Sequence, residues 1–294
     1  MIGLEKKFAL VYQECRALAR YQGGFHVLFK LLVLVLGLAL GATAQAAPSA
    51  ETEAVYQRAK QMAVANEHWI DRLVEQEKNG QLDKQIMIEA AADLEGKLAV
   101  FEAELHKASD GGHAVATYLL GNMEEGRKIL QRGQYVAKHA QACALYQRAA
   151  DQGLLAGAVA VLRDCDEGFV RFQFDDPQSQ RMREQLQAAL DKPDPFAREY
   201  PLPALNSLCF KSFKPPALHT QRPLATFAES ITPVQLELDQ FRADAHYLLA
   251  IKGDSKTLML REHYKKMLAL TGDCLDPFGL AHIDELESKK AAQH

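Results

Sequence analysis

Between residues 52 and 105 the apolar side chains recur at helical spacing, which commits the start of the folded chain to helices. Val55, Ala59, Met62, Trp69 and Leu73 lie three, four or seven positions apart, on one face of a helix over 52–78 that Asn79 and Gly80 end. Ile86, Ala90, Leu94, Leu98, Phe101 and Leu105 repeat the pattern until Ser109, Asp110, Gly111 and Gly112 break it. So short a turn sends the second helix back along the first, predicting an antiparallel hairpin roughly 40 Å long. The charged residues between the apolar ones read as solvated faces.

Ahead of the hairpin, Leu31 to Leu40 form an unbroken apolar block that empties into the small residues Gly41 to Ala46. The block is shorter than the roughly 20 residues a bilayer span needs, and Ala44-Gln45-Ala46 has the form of a cleavage site. Lys6, Lys7, Arg16, Arg20 and Lys30 make the leading segment positive against Glu5 and Glu14. The expectation is a signal peptide over 1–46 and an exported protein, periplasmic or secreted, starting at Ala47. The alternative is an uncleaved anchor, whose apolar run Lys30 and Gln45 interrupt. Residues 1–46 hold five of the 34 Lys and Arg and two of the 38 Asp and Glu, so the remaining 248 residues carry about −7. That balance argues against nucleic acid or anionic lipid as the main partner, leaving membrane contact only through an uncut leader.

Cys15 lies in the leader, and Cys143, Cys165, Cys209 and Cys274 remain. An even count in an exported chain reads as disulfides, with three connectivities possible. Cys143–Cys165 and Cys209–Cys274 is the favoured set: the first flanks a predicted helical turn, and the second ties a proline-rich excursion to the C-terminal helices. On the loop-entropy model such closures contribute roughly 3 and 4 kcal/mol. A thiol nucleophile or metal site is the alternative, without a C-x-x-C or a histidine at zinc-finger spacing to support it.

Past residue 112 the chain turns alanine-rich and begins to repeat. Ala114 to Leu120 (AVATYLL) is echoed by Ala243 to Leu249 (ADAHYLL), and Tyr146 to Gly153 by Tyr264 to Gly272, as two degenerate copies of one helix-turn-helix unit would produce. GHAVATYLLGNMEEG over 112–126 followed by ACALYQRAADQG over 142–153 resembles the Sel-one-like repeat, a relative of the tetratricopeptide repeat. The resemblance covers about residues 112–165, with a fainter copy over 241–286, and the connection from Gly126 to Ala142 is longer than the family's. It implies stacked α-hairpins in which small alanines let helices approach, and a role as adaptor or scaffold.

Asp176 and Pro177 read as N-cap and first residue of a helix to Leu190. Seven prolines between Pro193 and Pro223 then forbid regular structure. Phe196, Tyr200, Leu202, Leu205, Leu208, Phe210 and Phe213 make this stretch an expected ordered wrap, pinned by Cys209. Helix resumes at a capping box, Thr232 to Gln235, and runs to Lys252; two more are expected over 256–271 and 277–290, the last capped by Asp276. The fold class is therefore all-α: a hairpin over 47–110, a helical repeat unit over 111–190, a proline-rich loop over 191–231 and a second repeat unit over 232–294.

Zinc-protease, nucleophile-elbow, phosphate-loop and dinucleotide patterns are missing, so no catalytic residue, metal ligand or cofactor is expected. Asp164, Asp166 and Glu167 before Gly168 miss calcium-loop spacing by one residue and read as a solvated helix end. His246 and His263 each precede a repeat tyrosine and are placed at the surface, with the tyrosines between helices. Phe169, Phe172 and Phe174 would cap the stack or receive a partner's helix or extended peptide; Tyr118 and Tyr146 would pack in the core or line a groove. The expected function is a binding scaffold or adaptor for another envelope protein. The alternatives are a periplasmic inhibitor or immunity protein, or a cell-wall-modifying hydrolase.

Overall fold

In the computed structural model, which describes residues 48–81, 83–130, 133–170, 175–211, 233–253, 259–282, 285 and 289, the two N-terminal periodic runs form a hairpin of α1 (Ala50–Lys78) and α2 (Lys84–Asp110). The leader expected over 1–46 lies outside those residues. Ser49 Oγ accepts from Thr52 N at 3.1 Å and Asp83 Oδ1 from Ile86 N at 2.8 Å, so each helix opens on a side-chain cap. Only the base of the hairpin enters the core, through Tyr56, Ala59, Leu105 and Ala108. Ile86 and Leu98, expected on a buried face, are 38% and 39% exposed. Two helices without a third layer cannot enclose their seam, and the apolar residues of its far half, Ile86, Ile88 and Leu98, stay partly exposed.

The hairpin base packs on α3 (Ala114–Leu130), and each helix then packs on the next through α4 (Tyr135–Asp151) and α5 (Leu155–Asp164). Close approach is what glycine permits here. A Cβ at Gly121 would stand 2.6 Å from a Tyr146 ring carbon, and one at Gly157 would stand 2.7 Å from the backbone nitrogen of Ala150. A single turn, α6 (Glu167–Val170), leads to α7 (Pro177–Leu190), where Asp176 Oδ2 accepts from Gln178 N and Ser179 N at 2.9 Å each. A disulfide joins Cys143 in α4 to Cys165 at the C-cap of α5.

Residues 191–211 wrap the helices in an ordered path. Phe196 is buried, Ala197–Glu199 form a 3-10 turn, and Tyr200 donates its hydroxyl to Asp194 Oδ2 at 2.8 Å. The expectation for Phe213 falls outside the described residues. A ladder replaces the expected helix start: β1 (Leu202–Ala204) pairs antiparallel with β2 (Val234–Leu236), Leu202 opposite Leu236. Helix α8 (Leu238–Lys252) begins only after it, with the capping box on Glu237 and Gln240 instead of Thr232 and Gln235. Burial decides this, because Leu236 fills the core only when β1 takes up the backbone polar groups on either side of it.

Helix α9 (Met259–Leu270) packs on α8, and Cys209–Cys274 ties the wrap to the segment beyond it. Helical residues follow at 280–282, 285 and 289. Pro277 and Phe278 form a turn, so the last helix starts later than expected, while Asp276 still caps it by accepting from Leu280 N and Ala281 N. The nine helices named make the fold all-α; among the described residues no helix is long and apolar enough to cross a membrane.

Asp244 of α8, fully buried, accepts from Leu208 N at 2.9 Å and Cys209 N at 3.1 Å, and its second oxygen lies 3.6 Å from Arg163 Nη1. Asp244→Ala leaves both amides and the guanidinium without that acceptor and is expected to cost roughly 3–5 kcal/mol. Asp244→Asn keeps one acceptor oxygen and should cost less; equal urea midpoints for the two variants would refute this account. Gly121→Ala drives a methyl into a ring whose hydroxyl is tethered to Asn122, and should lower the urea midpoint by the equivalent of roughly 1–3 kcal/mol.

Candidate partner-binding groove

Tyr118 and Tyr146 are both 0% exposed, so neither lines an accessible groove. The Tyr118 hydroxyl donates to Pro203 O and the Tyr146 hydroxyl to Asn122 Oδ1, each at 2.9 Å, and burial pushes the Tyr118 hydroxyl up to about 12. Phe172, Phe174 and the Phe169 side chain lie outside the described residues. Of the acids expected at a solvated helix end, Glu167 is exposed, whereas Asp166 and Asp164 are turned into ion pairs. Asp166 is buried between Lys252 Nζ at 3.1 Å and the Ser179 hydroxyl, while Asp164 pairs with Arg163 at 2.8 Å. Burial lowers the Lys252 ammonium, against the pull of Asp166.

A groove of about 330 Å³ opens beside these tyrosines, between α2, α3 and α4. Leu120, Ala144 and Leu145 supply its apolar lining, and His106, Glu124, Gln141 and Arg148 its polar edge. Position decides which α4 residues reach it. Ala142, Tyr146 and Ala149 face the core, and Gln141, Ala144, Leu145 and Arg148 fall on one flank of that stripe.

The electrostatics of the rim are unequal. Glu124, nearly buried, accepts from Arg127 Nη1 at 2.6 Å and Lys138 Nζ at 2.7 Å, so its charge is balanced within the protein. Arg127 also bonds Glu102, and that hydrogen bond holds the Glu102 carboxyl below its ordinary value. Among the described residues Arg148 donates to a neutral hydroxyl alone, Ser109 Oγ, which in turn bonds Thr117 Oγ1 at 2.8 Å. Among the described residues no carboxylate lies within ion-pair range of Arg148, although the helices around it are acidic. An apolar floor beside a guanidinium that meets only a neutral hydroxyl among the described residues suits binding.

The histidines depart most from expectation. His246 and His263 are 9% and 5% exposed, and their Nδ1 atoms face each other at 3.0 Å between α8 and α9. One nitrogen must donate and the other accept, so the contact requires at least one neutral ring. Burial, then His263, lowers His246 to about 4; burial, then Lys266, lowers His263. Two more histidines meet acids away from the groove: His113 Nε2 lies 3.3 Å from Glu53, and His139 Nδ1 lies 2.8 Å from Glu125. Among the described residues no group of three His, Cys, Asp or Glu is placed to hold a metal. Comparison with protein-family models, curated proteins and solved structures finds no match.

A histidine neutral in the fold gains its proton on unfolding, so its contribution is complete above about pH 6.5 and is lost as pH falls toward about 4. The His246 shift corresponds to roughly 3 kcal/mol across that window. Urea midpoints between pH 7.5 and 4.5 should fall steeply for the native chain and less steeply for His246→Leu.

Proposed function

We propose that the protein is an exported helical-repeat scaffold whose α2–α3–α4 groove receives a segment of another envelope protein. The observation that carries this reading is the groove's polarity: Leu120 and Leu145 beside Arg148, the one rim cation shown here bonding a neutral acceptor instead of a carboxylate. A partner segment with an apolar side chain next to an acidic one would fill both requirements. Consecutive packing from α1 to α5 holds the walls before the partner arrives, which lowers the ordering entropy of docking.

Two disulfides fit an oxidising compartment, and the apolar leader ending in Ala44-Gln45-Ala46 supports export to the periplasm. The resemblance of residues 112–165 to Sel-one-like repeats supports the scaffold role, and the Gly121–Tyr146 contact is of the kind stacked hairpins need. A photoreactive amino acid at Ala144 should give one discrete adduct in the native envelope, and the same group at Gln180 on α7 should give none. Arg148→Glu should cut the Ala144 adduct by about tenfold, the equivalent of one lost charge-assisted contact of about 1.4 kcal/mol. No adduct at Ala144, or adducts indifferent to Arg148, would sink the proposal.

A further inference from the structure

The edge of α4 opposite the groove carries an arrangement that binding does not use. His139 and Cys143 are one helical turn apart, with His139 Nε2 at 3.7 Å from Cys143 Sγ. The other ring nitrogen, Nδ1, lies 2.8 Å from Glu125 Oε2 on α3, a carboxylate whose side chain is 4% exposed. With Nδ1–H donating to Glu125, the Nε2 lone pair points at the sulfur. A thiol released at Cys143 can pass its proton to Nε2, leaving a thiolate beside an imidazolium that Glu125 holds in place.

The partner sulfur sits in the opposite field. Cys165 is the C-cap of α5, at the carbonyl end of the helix dipole, and the flanking Asp164 and Asp166 are balanced by Arg163 and Lys252, so the dipole and the imidazole on the other sulfur set the difference. Negative charge is therefore favoured on Cys143 and disfavoured on Cys165, so the bond is polarised toward one leaving group. Cys209–Cys274 has no such asymmetry: Cys209 is fully buried, and among the described residues no imidazole contacts either sulfur. Cys143 and Cys165 are both partly exposed.

We infer that Cys143–Cys165 is a thiol–disulfide exchange site, oxidising thiol substrates, with Cys143 as leaving group, His139 as its charge partner and Glu125 as a positioning residue. One substrate thiol gives its proton to His139 Nε2, its thiolate forms a bond to Cys165 Sγ, the Sγ–Sγ bond breaks, and its electron pair goes to Cys143, which the resulting His139 imidazolium stabilises. A second substrate thiolate attacks the substrate sulfur of the mixed disulfide, and Cys165 leaves and takes a proton. Two thiols become one disulfide, and the protein's disulfide becomes a dithiol by the same two electrons. An external disulfide restores the oxidised form by the reverse steps. Stabilising the reduced form in this way makes the bridge more oxidising, and the better leaving group makes it faster to open.

In the full chain carrying Cys165→Ser, Cys143 is the one thiol at this site, and its ionisation can be followed by thiolate absorbance at 240 nm. Its midpoint is expected at least about one pH unit below the 8.5 of an ordinary thiol, and adding His139→Gln should return it toward 8.5. Glu125→Gln should return it part of the way. An ordinary midpoint in Cys165→Ser, or no response to His139→Gln in a chain with native circular dichroism, overturns the inference. A second measurement needs no cysteine variant. In graded glutathione buffers, with alkylation and mass mapping, Cys143–Cys165 should open at least about tenfold faster than Cys209–Cys274, and His139→Gln should remove most of that advantage. Equal opening of both bridges, or a rate that His139→Gln leaves unchanged, likewise overturns it.

Discussion

The seating of the Tyr146 ring on Gly121 sets the geometry from which the rest of the structure follows. Removing one Cβ lets α4 lie against α3 closely enough for the Tyr146 hydroxyl to reach Asn122, whose amide then donates to Pro203 O at 2.9 Å. Tyr118 donates to the same carbonyl from one turn earlier on α3. A chain of hydrogen bonds thus runs from α4 through α3 to the wrap, and each polar tip buried by the approach finds a partner. The groove between α2, α3 and α4, and the opposite edge of α4 bearing His139 and Cys143, take their positions from this contact.

Polar groups, rather than apolar area alone, join the C-terminal helices to that stack. Asp244 takes two backbone amides of the wrap and faces Arg163, and Lys252 reaches across to Asp166 and Leu162 O. Burial raises the Asp244 carboxyl while Arg163 opposes the shift, so such pairs fix which surfaces meet more than they add stability. The His246–His263 contact differs in kind, since it joins two rings of the same potential charge.

The two edges of α4 divide the proposed work. One presents an apolar lining with Arg148 at its rim, and the other presents a sulfur flanked by an imidazole. The buried stripe of Ala142, Tyr146 and Ala149 separates them, so a segment seated in the groove need not touch the disulfide. Binding and thiol exchange can therefore share one rigid helix without sharing residues.

The sequence by itself determined the helices, because capping and 3.6-residue periodicity act between neighbours: Asp176 and Asp276 cap as their positions require. Tertiary structure decided whatever depends on partners far along the chain. The strand Val234–Leu236 exists because Leu202 lies opposite Leu236, and Ile86 and Leu98 stay exposed where no third layer of the described residues covers their seam. His246 and His263 came inside because α8 packs on α9. His139 and Cys143 stand one turn apart on α4, but Glu125, on another helix, joins them only through the α3–α4 contact. Periodicity records which face of an element is apolar, whereas burial and pairing depend on what arrives to cover it, and that information is non-local.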